Sequence, residues 1–269
     1  MSTILGNPIT LGGGGSKVPD YTYTGNAEWY NEEKTILKLK TSGVLTLSKD
    51  CIADVFCVGG GGSGNVQRSS NRFSGAGGGG GYTTTQMVRF IKGTQYNAII
   101  GSGGAAAVST YKGNDGGTTS INEVSASGGK GAVAKTVSGH SASPGGDGGS
   151  GGGASGASGG NGGTDGANGS DSSGDYLNPG GIGQGTTTRA FGESSFEAYA
   201  GGGGGASYNK RTGGTGGGSS GGTGGGRSSA SGGDGVDNTG GGGGGGDGSS
   251  SGTSSGSGGS GVILIRFAS

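Results

Sequence analysis

A chain of 269 residues with 80 glycines, and with 17 basic residues balancing 17 acidic ones, excludes several classes of protein at once. Zero net charge offers no basic field for nucleic acid and no polybasic anchor for a membrane surface. Leu, Ile, Val and Phe total 37 residues, below the roughly 20% that flags disordered chains, yet the high net charge that accompanies disorder is missing.

Residues 1–20 read as an attachment segment or linker. Ile4, Leu5, Ile9 and Leu11 are apolar, Pro8 interrupts them, and the four glycines at 12–15 form a flexible joint. No basic residue precedes Lys17 and no apolar run has the length of a signal core, so a secretory signal is not expected. The strongest apolar run, residues 262–265, is far too short to span a bilayer.

Residues 21–125 read as a β-framework. Leu37 and Leu39 alternate with Lys38 and Lys40, residues 44–47 follow the turn signal Ser42-Gly43, and residues 55–58 are continuously apolar. Residues 87–91 and 96–100 flank a hairpin connection at 92–95. Short strands between glycine-containing turns, with no helical period, predict a sandwich or barrel. Cys51 and Cys57 lie six residues apart in an extended stretch. On one straight strand their separation is ~20 Å, beyond the ~7 Å limit for a disulfide, so Cys57 reads as a small buried apolar residue.

Residues 126–261 hold 55 of the 80 glycines and only seven Leu, Ile, Val or Phe. No ordinary core forms from that. Glycines recur locally every third residue, as at 156, 159 and 162, at 163, 166 and 169, and at 218, 221 and 224. Collagen is excluded, because the register slips and the chain has four prolines. Three residues per turn is still the period of an extended left-handed helix whose N–H and C=O groups point outward. Such helices, side by side, satisfy each other's backbone without apolar side chains. The residues between glycine runs are then expected on turns at the lattice ends.

Residues 262–269 contain VILIRF, a near-continuous apolar run with no apolar partner nearby in sequence. It predicts a central strand covered on both faces and paired near residues 55–58. The glycine-rich half is then a closed insertion, since loop closure costs grow only logarithmically with length. The expected fold is all-β: a jelly-roll-like β-sandwich with a large glycine-rich insertion of packed polyglycine-II helices.

The series DVFCVGGGG (54–62), GGGGGYT (77–83), GQGTTTRAFG (183–192), YAGGGGG (199–205) and GVILIRF (261–267) resembles the glycine-rich domain of phage and prophage tail proteins. It is also similar to the tip adhesins of T-even-type long tail fibres and to the glycine-rich region of receptor kinases related to the anaplastic lymphoma kinase. The resemblance covers about residues 21–269. It implies a virion protein at the tail or fibre tip, made in the host cytoplasm and binding a bacterial surface glycan or protein through loops. Attachment to other virion tail proteins would run through the N-terminus, and a homotrimer remains open beside a single chain. The strand-rich N-terminal half is longer than in the T-even adhesins, so their mode of fibre attachment does not carry over.

Four stretches between glycine runs carry the side chains of recognition loops: 65–74, 105–115, 170–179 and 206–212. Tyrosine with Ser, Asn and Arg in glycine-flanked loops gives contact area at low entropy cost. The expected receptor-binding set is Arg68, Arg72, Phe73, Tyr111, Lys112, Tyr176, Tyr208, Asn209, Lys210 and Arg211.

Catalytic signatures are missing. GxGxxG matches are uninformative among 80 glycines, and Lys130 is followed by Gly131, so no phosphate-binding GxxxxGK[ST] exists. His140, the single histidine, sits in a Ser/Gly loop and reads as solvated. Asp147, Asp165, Asp171, Asp175, Asp234, Asp237 and Asp247 read as scattered turn residues, without the nonapeptide repeat that would mark calcium sites. The expectation is a binding protein, not an enzyme, with no cofactor and no metal. The alternative is a purely structural virion fibre, decoration or baseplate component with a glycine-rich spacer.

Overall fold

Among the described residues the strands run in order β1 (Tyr21–Tyr23), β2 (Ala27–Trp29), β3 (Ile36–Leu39), β4 (Gly43–Leu47), β5 (Cys51–Val58) and β6 (Thr83–Phe90). They continue as β7 (Tyr96–Ile99), β8 (Thr119–Ile121), β9 (Val124–Ala126), β10 (Lys135–Val137), β11 (His140–Ala142) and β12 (Val262–Phe267). The structure, a computed structural model, describes residues 18–66, 75–108, 112–133, 135–137, 140–173, 178–207, 213–222, 231–248 and 253–268.

Two antiparallel sheets stack face to face, one ordered β1-β4-β7-β8-β9 and the other β2-β3-β12-β5-β6. Alternation along each strand sends Leu37, Leu39, Leu45, Leu47, Val55, Ile121, Ile263 and Ile265 into the shared core, where all are essentially inaccessible. Burying each such side chain contributes about 1.5–3 kcal/mol.

The C-terminal strand is central, as its apolar run predicts. β12 lies between β3 and β5, with Val262 opposite Val58 and Phe267 opposite Ala53. Its other face is also covered: Val262 and Leu264 pack with Ile36, Phe56 and Val58 under a cap from the 184–200 segment. Cys51 and Cys57 share strand β5, and both thiols are free. Burial pushes the Cys57 thiol up to about 12.

Strands continue without a turn into glycine segments. β5 runs into residues 59–66, β7 into 101–107 and β9 into 127–132, while 75–82 lead into β6, 113–118 into β8 and 253–261 into β12. Framework and lattice are therefore interleaved along the chain, with lattice segments already present well before residue 126. Glycine runs at 59–62 and 77–81 look like turns in sequence because strands flank them.

Segment 59–66 displays the lattice geometry. The N–H groups of Gly59, Gly62 and Asn65 donate to Tyr82, Gly79 and Ala76 on one neighbour. Those of Gly60 and Ser63 donate to Gly117 and Asn114 on a second, and those of Gly61 and Gly64 to Gly259 and Gly256 on a third. Its carbonyls accept from three further segments: Gly129 and Ala132 on one, Gly243 and Gly246 on another, Gly104 on the last. Direction rotates by a third of a turn per residue, so each neighbour is met at every third position. That is the three-residue helix expected from the sequence, in a hexagonal array. Segments 75–82 and 201–206 repeat the pattern.

Candidate functional site: the far end of the glycine lattice

Described segments run from the sandwich to a far end and others run back towards it, so the lattice has two distinct poles. Near the sandwich the connections are tight and described: 148–150, 165–166, 218–220 and 237–240. Asp165 and Asn238 take left-handed backbone angles in two of them, with φ of 50° and 59°. Short polar side chains tolerate that region better than most.

The segment 184–200 clamps the near pole onto the sandwich. A single 3-10 turn, Ala190–Gly192, forces Phe191 to a φ of 56°. The result places Phe191 and Tyr199 against Phe56, with ring centroids 6.1 and 5.4 Å away. Arg266 of β12 lies 4.2 Å over the Phe191 ring and pairs with Asp54 at 2.8 Å and Glu193 at 2.5 Å. Asp165 ties the same clamp to the lattice, accepting from Thr187 Oγ1 at 2.6 Å, the Thr188 N–H at 3.0 Å and Arg189 Nε at 3.1 Å.

Partial burial would raise the Asp165 carboxyl, but those three donors outweigh it and hold the group below 3.8. The stabilisation is therefore complete above the unfolded carboxylate value and is lost as pH falls through the lower folded value. Asp115 behaves likewise: burial is outweighed by the Gly131 N–H and Lys130, 2.9 and 3.0 Å away. Thermal melts between about pH 7 and about pH 2 should show Asp165→Asn melting lower at neutral pH and with a shallower acid slope than the parent. Parallel curves would remove Asp165 from the account.

Along the lattice flank, short polar side chains accept backbone N–H groups among the described residues. Ser231 Oγ, Asp234 Oδ1 and Asp237 Oδ1 accept the N–H groups of Ser254, Ser257 and Ser260, at 3.2, 2.7 and 3.0 Å. Each donor lies 23 residues from its acceptor, and both rows advance in steps of three. Asn168 and Asp171 receive Gly183 and Gly180 in the same manner, and Asp147 receives Ile182. The expectation that Asp147, Asp171 and Asp234 are scattered turn residues is thus corrected. They sit in extended segments and close the backbone of an exposed lattice edge.

The far end gathers the flanks of every expected display loop. Val66 bridges Gly246, Val108 bridges Ser254, Lys112 bridges Val133, Gly156 bridges Ser207, and Ser158 bridges Ser173. Gly75 donates to Gly246, and Ala206 donates to Gly75, which ties these flanks at one level. Beneath them lies a buried polar layer of Asn65, Ser143, Ser155, Ser172, Asn178 and Ser207. Asn65 Oδ1 accepts the Ala76 N–H at 2.7 Å, and Asn178 Nδ2 donates to the Ser155 carbonyl at 2.7 Å.

Of the expected receptor-binding residues, Lys112 is described and exposed, at the bridge to Val133. Arg68, Arg72, Phe73, Tyr111, Tyr176, Tyr208, Asn209, Lys210 and Arg211 lie outside the described residues. So do residues 1–17 of the expected attachment segment. The structure adds Val108 and Val133, 59% and 42% exposed, to the same end. Sequence reading passes over them because an isolated valine among glycines carries no periodic signal.

The opposite end of the molecule is the sandwich pole. Asp20 accepts from Ser48, and Gly93, in the β6–β7 turn, donates to Leu47. Val18 and Phe267 lie at this end, since β12 runs away from the lattice and Tyr21 pairs with Leu47. Among the described residues, no group of His, Cys, Asp and Glu is arranged to hold a metal ion, and no helix is long and apolar enough to cross a membrane. No curated protein matches the sequence. A family model described as a glycine-rich domain matches residues 40–268.

Proposed function

The chain belongs to the glycine-rich domain family, and from that premise we propose that it is a phage or prophage tail-tip adhesin. In this reading it binds a bacterial surface glycan or protein through loops on the polyglycine scaffold, and it is not an enzyme. It works in the virion, attached to other tail proteins through its N-terminus, without nucleic acid and without membrane insertion.

One observation carries the reading. The flanks of all four expected loops converge on the far end of the lattice, while Val18, the first described residue, lies at the opposite pole. A molecule that attaches at one end and displays at the other has this polarity. The loops rest on a base held by backbone hydrogen bonds in several directions, so little entropy is lost in ordering the base on binding.

The backbone-bonded lattice also favours a second reading, a structural fibre, decoration or baseplate component in which the same body is only a stiff spacer. Adsorption separates the two. Replacing Tyr111, Tyr176, Tyr208 and Arg211 together by alanine should weaken binding to host cells by about tenfold or more, with the melting temperature unchanged. Unchanged adsorption with intact particles would give the spacer reading the field.

A further inference from the structure

The sheet that contains β12 ends in β6, an edge strand eight residues long. The Thr83 N–H points away from β5 and donates to Gln184 Oε1 at 3.0 Å. Alternation then places the outward backbone groups of β6 at Thr83, Thr85, Met87 and Arg89. Side chains cap both outer members. Gln184 also donates to Thr83 Oγ1 at 2.9 Å, and Asn122 Nδ2 donates to the Arg89 carbonyl at 3.3 Å.

Between the caps, residues 85–87 are all exposed, Met87 at 67%. The outward N–H and C=O groups of Thr85 and Met87 meet no backbone or side-chain partner among the described residues. This window lacks the usual protections of an edge. It has no lysine, proline or bulge, and the nearby Arg89 is neutralised by Asp50 at 3.1 Å.

The window is symmetric. Its caps, at Thr83 and Arg89, lie three residues to either side of Gln86. We infer that β6 pairs antiparallel with β6 of a second copy of this chain, about a two-fold axis at Gln86. Thr85 of each copy then exchanges both backbone bonds with Met87 of the other, giving four bonds in all. Positions 83 and 89 would come opposite each other next, and because both are already capped the ladder stops there. A self-complementary patch is what a closed two-fold dimer requires, and a foreign strand has no reason to match this symmetry. Exposed Met87 gains a cross-strand contact with Thr85 of the second copy.

The interface is short and belongs among weak, reversible ones. The paired strands run in opposite directions, so the two lattices point away from each other. The inference concerns the free chain and stands whether or not it is an adhesin, because its test reads mass and not adsorption.

Light scattering on the intact chain should show the mass rising from 25.0 kDa towards twice that value as concentration increases from about 1 μM to about 1 mM. Met87→Lys, which places like charges near the axis, should hold the chain monomeric with its melting temperature unchanged. At Gln86 the pair is non-hydrogen-bonded, with Cα atoms ~4.5 Å apart, inside the range for a disulfide. Gln86→Cys should therefore give an oxidised dimer that the parent does not form, and adding Met87→Lys should abolish it. A single monomeric mass over the whole range, or no linked dimer from Gln86→Cys, would overturn the inference.

Discussion

Gly203→Ala is expected to destabilise the chain by about 3 kcal/mol or more, beyond the usual 1–3 kcal/mol of an overpacked core site. A methyl at Gly203 would stand 2.0 Å from the Gly243 carbonyl oxygen and 2.5 Å from its carbon. A carbon–oxygen contact needs more than 3 Å, so whole segments must separate by about 1 Å or more. Nothing flexible lies in the way that could rotate aside. The displaced backbone is also the bonding surface: Gly203 donates to Gly78 and accepts from Gly153, both at 2.8 Å, and Gly243 donates to Gly62 at 2.9 Å. Each buried group left unpaired costs about 1–3 kcal/mol. Gly93→Ala is the control. It has a left-handed φ of 72° with nothing within 4 Å, so it should cost only about 1–2 kcal/mol. Urea midpoints measured on both variants decide the matter, and equal shifts would mean that close approach does not hold the lattice together.

The second large effect is expected at β12. Ile263→Ala opens a cavity between the sheets, and Leu264→Ala opens one beneath the clamp, because both side chains are completely buried and face opposite ways. Each should cost about 2–5 kcal/mol. Combined, they approach the roughly 5–15 kcal/mol total stability of an ordinary domain. The double variant should fail to fold at 37 °C or lose most of its denaturant resistance. Both sites should also loosen the lattice, because β12 fixes segment 253–261, which accepts from Gly61 and Gly64. Hydrogen exchange at those two amides reads the coupling. Fast exchange in either single variant is the expected result, and protection equal to the parent's would show that the lattice stands without its framework.

The sequence carries the fold where chemistry is periodic or one-sided. VILIRF is apolar on both faces except at Arg266, and so it lies in the middle of a sheet with cover on both sides. The three-residue spacing is physical at Gly159 and Gly162, whereas Gly166 and Gly218, taken with it in sequence, lie in turns with φ of 84° and 57°. Gly159 and Gly162 would both press their methyls on one neighbouring segment, at the carbonyls of Gly205 and Gly202.

What escapes the sequence depends on which segments become neighbours. Asp234 finds the Ser257 N–H because two helices 23 residues apart lie side by side, and no local signal encodes that. The clamp is hidden for a similar reason. Phe191, Phe196 and Tyr199 are scattered aromatics until a left-handed turn at Phe191 aims them at Phe56. The common end for the flanks of the expected loops is likewise visible only after the segments are traced. The buried flanks Val66 and Ser207 mark it, while the expected contact residues, Lys112 excepted, lie outside the described part.

The lattice hides peptide groups where other proteins hide hydrocarbon, and this has a calorimetric consequence. Exposing apolar surface raises the heat capacity of the unfolded chain, by about 0.45 cal/mol/K per Å², while exposing polar surface lowers it by about 0.26. Melting the glycine segments uncovers mostly N–H and C=O, so the two terms offset each other over about half of the molecule. The heat-capacity increment per residue should fall below the usual ~12–15 cal/mol/K. A small increment flattens the curve of stability against temperature. The sandwich then carries nearly all of the sensitivity to cold, and the glycine lattice holds its shape across a wider range of temperatures than a hydrophobic core of the same size.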